Sequence, residues 1–190
     1  MFRKKPKKIV NDLEKAISNF ALSTYTTPEK IDECLGYKLA YLKSFDPLLC
    51  FESLFSGEYF YTGLFSCPKS HDLPTLECSC GFHSYKDFKR ALKERRFFRK
   101  TMVLQVENYG TVIEHDTGWR AQEQVVTGVA LPKRCSFFIC RQRTYGMLKG
   151  HHNIESRCKR HFEKRVSESK EGYSVEGLKT RYPEIEFSLF

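Results

Sequence analysis

The sequence lacks the short motifs that most often announce an enzyme. It contains no glycine-rich phosphate loop, no G-x-S-x-G and no H-E-x-x-H, so the commonest nucleotide, serine-hydrolase and zinc-protease signatures are excluded. There is no internal repeat and no low-complexity segment. No apolar run approaches the length of a membrane span, which predicts a protein without a membrane partner. The basic start, Met1 to Lys8, is not followed by an apolar stretch, because Asn11, Asp12, Glu14 and Lys15 interrupt it. That pattern predicts no secretion signal and a cytoplasmic location. In a reducing compartment the eight cysteines are poor candidates for a disulfide framework, and clustered ones point to metal.

What is present is an ordinary globular composition with a high aromatic share, in a chain of 190 residues. That length suffices for one well-buried domain. The division expected is a flexible basic tail, residues 1–8, and a single zinc-stabilised domain, residues 9–190. The formal charge of +9 is unevenly spread. Residues 1–8 carry +5, residues 86–100 carry eight bases against two acids, and residues 133–165 carry ten against two, which leaves −10 for the rest. Such segregation favours a polyanionic partner if it survives folding as a patch.

Within residues 67–83, Cys67-Pro68-Lys69-Ser70-His71 and Cys78-Ser79-Cys80-Gly81-Phe82-His83 bring three thiols and two imidazoles together. Cys67, His71, Cys78 and Cys80 supply the four donors of a tetrahedral Zn²⁺ site, with His83 as the substitute if the Cys-x-Cys spacing prevents both thiolates from binding. Pro68 and Gly81 suit the sharp turns such a site requires. Four protein ligands make the zinc structural rather than catalytic. A second constellation is Cys135, Cys140, Cys158 and His161. Cys158 and His161 have helical ligand spacing. Cys135 and Cys140, however, fall five apart in an expected strand, which points them to opposite faces and favours buried thiols there.

Helical spacing of Val10, Leu13, Ala16, Ile17 and Phe20 predicts a helix to about Leu22, and Thr27-Pro28 starts a short one ending at Gly36. Residues 37–42 alternate as a strand, and residues 59–62 are also expected to be extended. Ser84 is positioned to cap a basic helix from Tyr85 to about Arg96. A long strand from Met102 to His115, bent near Gly110, turns through a three-residue loop, 116–118, into a return strand ending at Pro132. Residues 135–140 read as another strand, residues 154–166 as a basic helix, Ser174 as the cap of a further helix, and residues 185–190 as a final strand. The fold class is α+β, with a mixed or antiparallel, partly barrel-like sheet, peripheral helices and a structural zinc knuckle.

Glu114, His115, Trp119 and Arg120 group a carboxylate, an imidazole, an indole and a guanidinium around the hairpin, a set that can serve as a catalytic or small-ligand pocket. The plainer reading places His115 opposite Trp119 and Glu114 opposite Arg120 as cross-strand pairs. Cys78-Ser-Cys80-Gly81-Phe82 followed by Gly110-Thr-Val-Ile-Glu114-His115-Asp-Thr-Gly118-Trp119-Arg120-Ala121 resembles uncharacterised small proteins encoded in bacterial and phage genomes. There a C-x-C-G stretch precedes G-x-V-x-E-H-x-x-G-[aromatic]-R-A, and an upstream Cys and His match Cys67 and His71. The resemblance covers roughly residues 60–135 and implies no activity. It implies that the metal cluster and the hairpin belong to one domain, and that Glu114, His115 and Arg120 do more than stabilise a turn.

The function expected is a non-catalytic, zinc-stabilised basic module that engages nucleic acid or an acidic protein. Lys86, Lys89, Arg90, Lys93, Arg95, Arg96, Arg99 and Lys100 would neutralise phosphates. The alternatives are an enzyme or small-ligand protein built on the Glu114–Arg120 hairpin, and a structural subunit of a larger assembly.

Overall fold

The computed structural model describes residues 34–45, 49–54, 59–60, 62–64, 74–98, 100–150, 154–168 and 171–190. The expected basic tail, the helix to Leu22 and most of the short helix after Thr27 lie outside them. Cys34 and Leu35, assigned to the end of that helix, instead begin strand β1 (Cys34–Ser44).

The structural centre is a two-stranded ribbon, β6 (Met102–His115) and β7 (Gly118–Leu131). Alternation explains why it is central. Met102, Leu104 and Val106 pack with Ala40, Val129 and Leu131 into one core, while Val103 joins Leu39, Tyr85 and Ala130 in another. The ladder slips between Gln105 and Val106 and again between Tyr109 and Val112. At the second irregularity Gly110 has φ 72°, a left-handed conformation that suits glycine. The bend expected there is present.

Around this ribbon the other strands build a mixed sheet of eight. β1 pairs antiparallel with β6 over Cys34–Ala40, and with β2 (Cys50–Ser53) further on. β2 in turn pairs β3 (Tyr59–Phe60). The outer edge of β7 is shared by β5 (Phe82–Tyr85), β4 (Thr62–Leu64) and, in parallel, β11 (Glu186–Leu189). β5 returns to β1 through the single pair Tyr37 and Tyr85. The sheet is therefore not a closed barrel.

A second sheet holds β8 (Gly146–Lys149) between β9 (Ile154–Arg157) and β10 (Gly172–Ser174). Its residues Met147 and Ile154 share the larger core with the main sheet. The described residues form three helices. Helix α1 (Phe88–Arg95) lies beside the smaller core through Ala91 and Phe88. Helix α2 (Lys159–Ser167) buries Phe162, whose ring lies where a Cβ on Gly146 would fall, 2.6 Å away. Helix α3 (Val175–Arg181) contributes Leu178 to the core and is capped by Ser174, whose Oγ accepts from the Gly177 N–H at 2.9 Å.

Five local expectations are corrected. Helix α1 is capped by Asp87, whose carboxylate accepts from the Lys89 N–H at 2.8 Å. Tyr85, expected inside that helix, is the last residue of β5, where ladder bonds to β7 outweigh helical spacing. The hairpin loop is two residues, Asp116-Thr117, with Gly118 paired to His115, so Glu114 rather than His115 faces Trp119. Residues 135–140 are not a strand but a tight knuckle, and residues 154–157 are a strand preceding the helix expected there.

Candidate metal centre and basic surface

The knuckle begins where β7 ends. Arg134 and Arg143 form an isolated antiparallel bridge. Inside it, the Cys135 N–H donates to Gln142 O at 2.9 Å and the Cys140 N–H to Phe137 O at 3.0 Å. Ile139 takes φ 68°, unusual for a β-branched residue, and turns the chain back. This turn is what the sequence reading missed: it brings Cys135 and Cys140 onto one side instead of opposite faces.

The second ligand pair comes from the junction of β9 and α2. Cys158 occupies the extended position preceding the helix, and His161 lies on the first turn. Backbone and side-chain bonds bring the two pairs together. The Ser136 N–H donates to Ser156 O at 2.9 Å, and the Ser156 hydroxyl donates to Arg134 O at 3.0 Å. The four donor atoms of Cys135, Cys140, Cys158 and His161 all lie within 4.8 Å of one another.

Their separations have the right size for a metal. The Cys140 and Cys158 sulfurs are 3.8 Å apart, and His161 Nδ1 is 3.4 Å from both Cys135 Sγ and Cys158 Sγ. A tetrahedral ion with Zn–S and Zn–N bonds of ordinary length has S···S edges of about 3.8 Å and S···N edges of about 3.5 Å. The set can hold a metal ion. The Phe137 ring packs against His161 at a 35° tilt, centroid to centroid 4.3 Å. A backbone hydrogen bond from Gln142 lowers the Cys140 thiol pKa, whereas burial raises that of Cys135 against bonds from the Cys158 and Phe137 backbones. Backbone N–H groups aimed at sulfur stabilise thiolates, the form a metal binds.

Of the set favoured from sequence, Cys67 and His71 lie outside the described residues. Cys78 and Cys80 are half-buried in the loop before β5, and His83 Nε2 is 2.9 Å from Ser79 O. That carbonyl accepts only from an Nε2–H, which fixes the tautomer. Burial pushes the His83 pKa down to about 4.

The hairpin residues are placed as follows. Glu114 forms an ion pair with Lys86, whose ammonium also sits 4.7 Å over the Trp119 ring. The Trp119 indole N–H donates to Leu35 O at 3.0 Å, and Arg120 donates to Thr75 O at 2.8 Å. His115 is buried, and burial together with the Arg120 charge lowers its pKa.

The basic segment around α1 is partly engaged within the fold. Lys86 pairs with Glu114, Lys100 pairs with Glu155, and Arg95 donates to Thr101 O at 2.7 Å while stacking 4.7 Å over Phe190. Arg90 packs over Tyr85. Lys89, Lys93 and Arg96 are exposed, and Arg99 lies outside the described residues.

A crevice of about 490 Å³ has Arg95, Lys100, Lys133 and Arg134 in its wall, so the end of this segment meets the base of the metal knuckle. Beyond the knuckle, an open groove of about 900 Å³ runs past His161 between Arg143, Tyr145, Lys159, Arg160 and Lys164, with Glu163 as its one acid, paired to Lys159 at 3.8 Å. Two of the three basic segments of the sequence therefore adjoin.

No protein-family model matches this chain, and no curated protein or solved structure does either. No helix is long and apolar enough to cross a membrane among the described residues.

Proposed function

We propose that this protein is a non-catalytic nucleic-acid-binding module whose basic surface is held in shape by zinc. The observation that carries the reading is the set of 3.4–3.8 Å separations in the Cys135, Cys140, Cys158 and His161 cluster, bordered by Arg143, Lys159, Arg160 and Lys164. Four protein donors close the coordination shell, and a closed shell is structural. Three thiolates and an imidazole favour Zn²⁺ over harder cations.

The metal would tie the knuckle to α2 and so fix the groove walls. Those bases, continued by Arg134 and by Lys89, Lys93 and Arg96 of α1, would neutralise phosphates and release condensed counterions. A second zinc at Cys67, His71, Cys78 and Cys80 belongs to the same reading. The hairpin is better explained as structure: Lys86 engages the Glu114 carboxylate and the Thr75 carbonyl engages Arg120.

The test combines metal analysis with salt titration. Purified protein should contain zinc, one equivalent for the knuckle alone and two if the earlier cluster binds as well. It should bind fluorescent oligonucleotides with log K falling by several units per unit of log salt. Absence of binding at low salt would overturn the reading, and capture of polyglutamate in place of oligonucleotide would assign the surface to an acidic protein.

A further inference from the structure

Between the metal ligands Cys135 and Cys140 stand three apolar residues that the fold leaves in solvent. Phe137 is 48 %, Phe138 83 % and Ile139 82 % exposed. Contiguous exposure of this kind, on a loop the metal would hold rigid, marks a contact surface rather than a core. The charge beside it is of one sign: Arg134, Arg141 and Arg143 are exposed on the knuckle itself.

Phe137 connects the tip to the groove through its 4.3 Å stack on His161, a groove-lining residue. Within the groove Tyr145 is 40 % exposed among Arg143, Lys159, Arg160 and Lys164. Aromatic rings thus occur both at the tip and on the wall of a groove lined by four bases and one acid, Glu163, which pairs with Lys159 at 3.8 Å.

We infer that this tip and groove form a binding site for single-stranded nucleic acid, with Phe138 as a stacking platform and the groove bases on the phosphates. The inference rests on the reading of the protein as a nucleic-acid binder and names the form bound. Unpaired bases expose faces that stack on Phe or Tyr, whereas a duplex keeps those faces inside its own stack. Concavity argues against a lipid surface, because a bilayer would touch Phe138 and Ile139 but not the groove walls behind them. An acidic peptide would satisfy the bases while giving the aromatic rings no flat partner.

The experiment compares the metal-loaded full chain with Phe138→Ala and with Arg143→Glu/Lys164→Glu, using fluorescein-labelled dT₁₅, rU₁₅ and a 15-base-pair duplex. Phe138 is so exposed that its replacement leaves the core intact, and retained zinc confirms this for each variant. Expected are tighter binding of either single strand than of the duplex, about tenfold loss for the single strands on Phe138→Ala, and a shallower salt slope for the charge-reversed variant. Salt-dependent binding that is equal for single strand and duplex and unmoved by Phe138→Ala would overturn this inference alone. No binding of any oligonucleotide would sink the nucleic-acid reading with it. Binding instead to phosphatidylserine vesicles, lost on Phe138→Ala, would reassign the tip to a membrane surface.

Discussion

The Cys140 and Cys158 sulfurs stand 3.8 Å apart, on opposite sides of the junction between the knuckle and helix α2. A disulfide needs about 2.05 Å, and the edge of a zinc tetrahedron about 3.8 Å. The separation is too long for a disulfide and matches the edge that a tetrahedral ion would span. Two elements distant in sequence lie at the distance one ion would bridge, so on the proposed metal site ion binding and the local fold should be interdependent. On the proposed metal site, Cys140→Ser is expected to lose the knuckle's metal and several degrees in Tm, because Cys140 supplies one of the four donor atoms yet is not part of the apolar core. Metal content and thermal melting check this, and equal zinc and Tm in the variant would remove the site.

The strands and helices around this junction were largely legible, because their signals are periodic. The 14-residue alternations of β6 and β7, the bend at Gly110 and the Ser174 cap are all where apolar spacing and turn chemistry place them. The knuckle was not legible. Six residues rich in Phe, Ile and Cys read as a strand by composition, yet the left-handed Ile139 and the Cys135–Gln142 pairing fold them into a loop. The readable signal is the spacing Cys-x4-Cys with Cys-x2-His, which strand alternation between Cys135 and Cys140 masks. The exposed Phe138 was equally hidden, since an apolar residue between apolar neighbours suggests a core.

Acid should destabilise the protein through two imidazoles, the half-buried His83 and the buried His115. His83 is held at about 4, against 6.5 for an ordinary histidine, and His115 is shifted in the same direction. With the folded-state value depressed, the unfolded chain binds more protons between about pH 4 and 6.5. The stability is therefore complete above pH 6.5 and is lost as pH falls toward 4. For His83 the effect is up to about 3 kcal/mol. Urea unfolding at several pH values should show it, and His83→Gln should flatten the slope below pH 6.5. An unchanged slope in the variant would mean that metal release, not this imidazole, governs the acid limb.

The Lys86 ammonium serves two partners, the Glu114 carboxylate and the Trp119 ring, on a half-exposed face. Exposed ion pairs and cation–π contacts contribute little, so Lys86→Ala should cost no more than about 1 kcal/mol. A double-mutant cycle with Glu114→Gln separates the two contributions. A loss of several kcal/mol on Lys86→Ala would show that the hairpin pair carries more than a surface interaction, and would revive the Glu114–Arg120 set as a functional site.

The costliest single polar change among the described residues should be at Asn108. It is fully buried on β6, and its amide donates to Cys34 O at 2.8 Å and to the Ser84 hydroxyl at 3.2 Å. Its carbonyl accepts from Gln124 at 2.7 Å, and Gln124 accepts in turn from Lys38 at 3.4 Å. This chain of bonds links β1, β5, β6 and β7. Asn108→Ala removes one member and leaves at least a buried carbonyl and a buried amide without that partner, each costing about 1–3 kcal/mol. The expected loss is therefore about 2–4 kcal/mol in urea unfolding, large against the 5–15 kcal/mol that holds a typical domain. Gln124→Ala should cost a similar amount. The double variant should cost less than the sum of the two, because each single change leaves an orphan that the second removes. Additive costs would show that Asn108 and Gln124 contribute independently rather than as parts of one network.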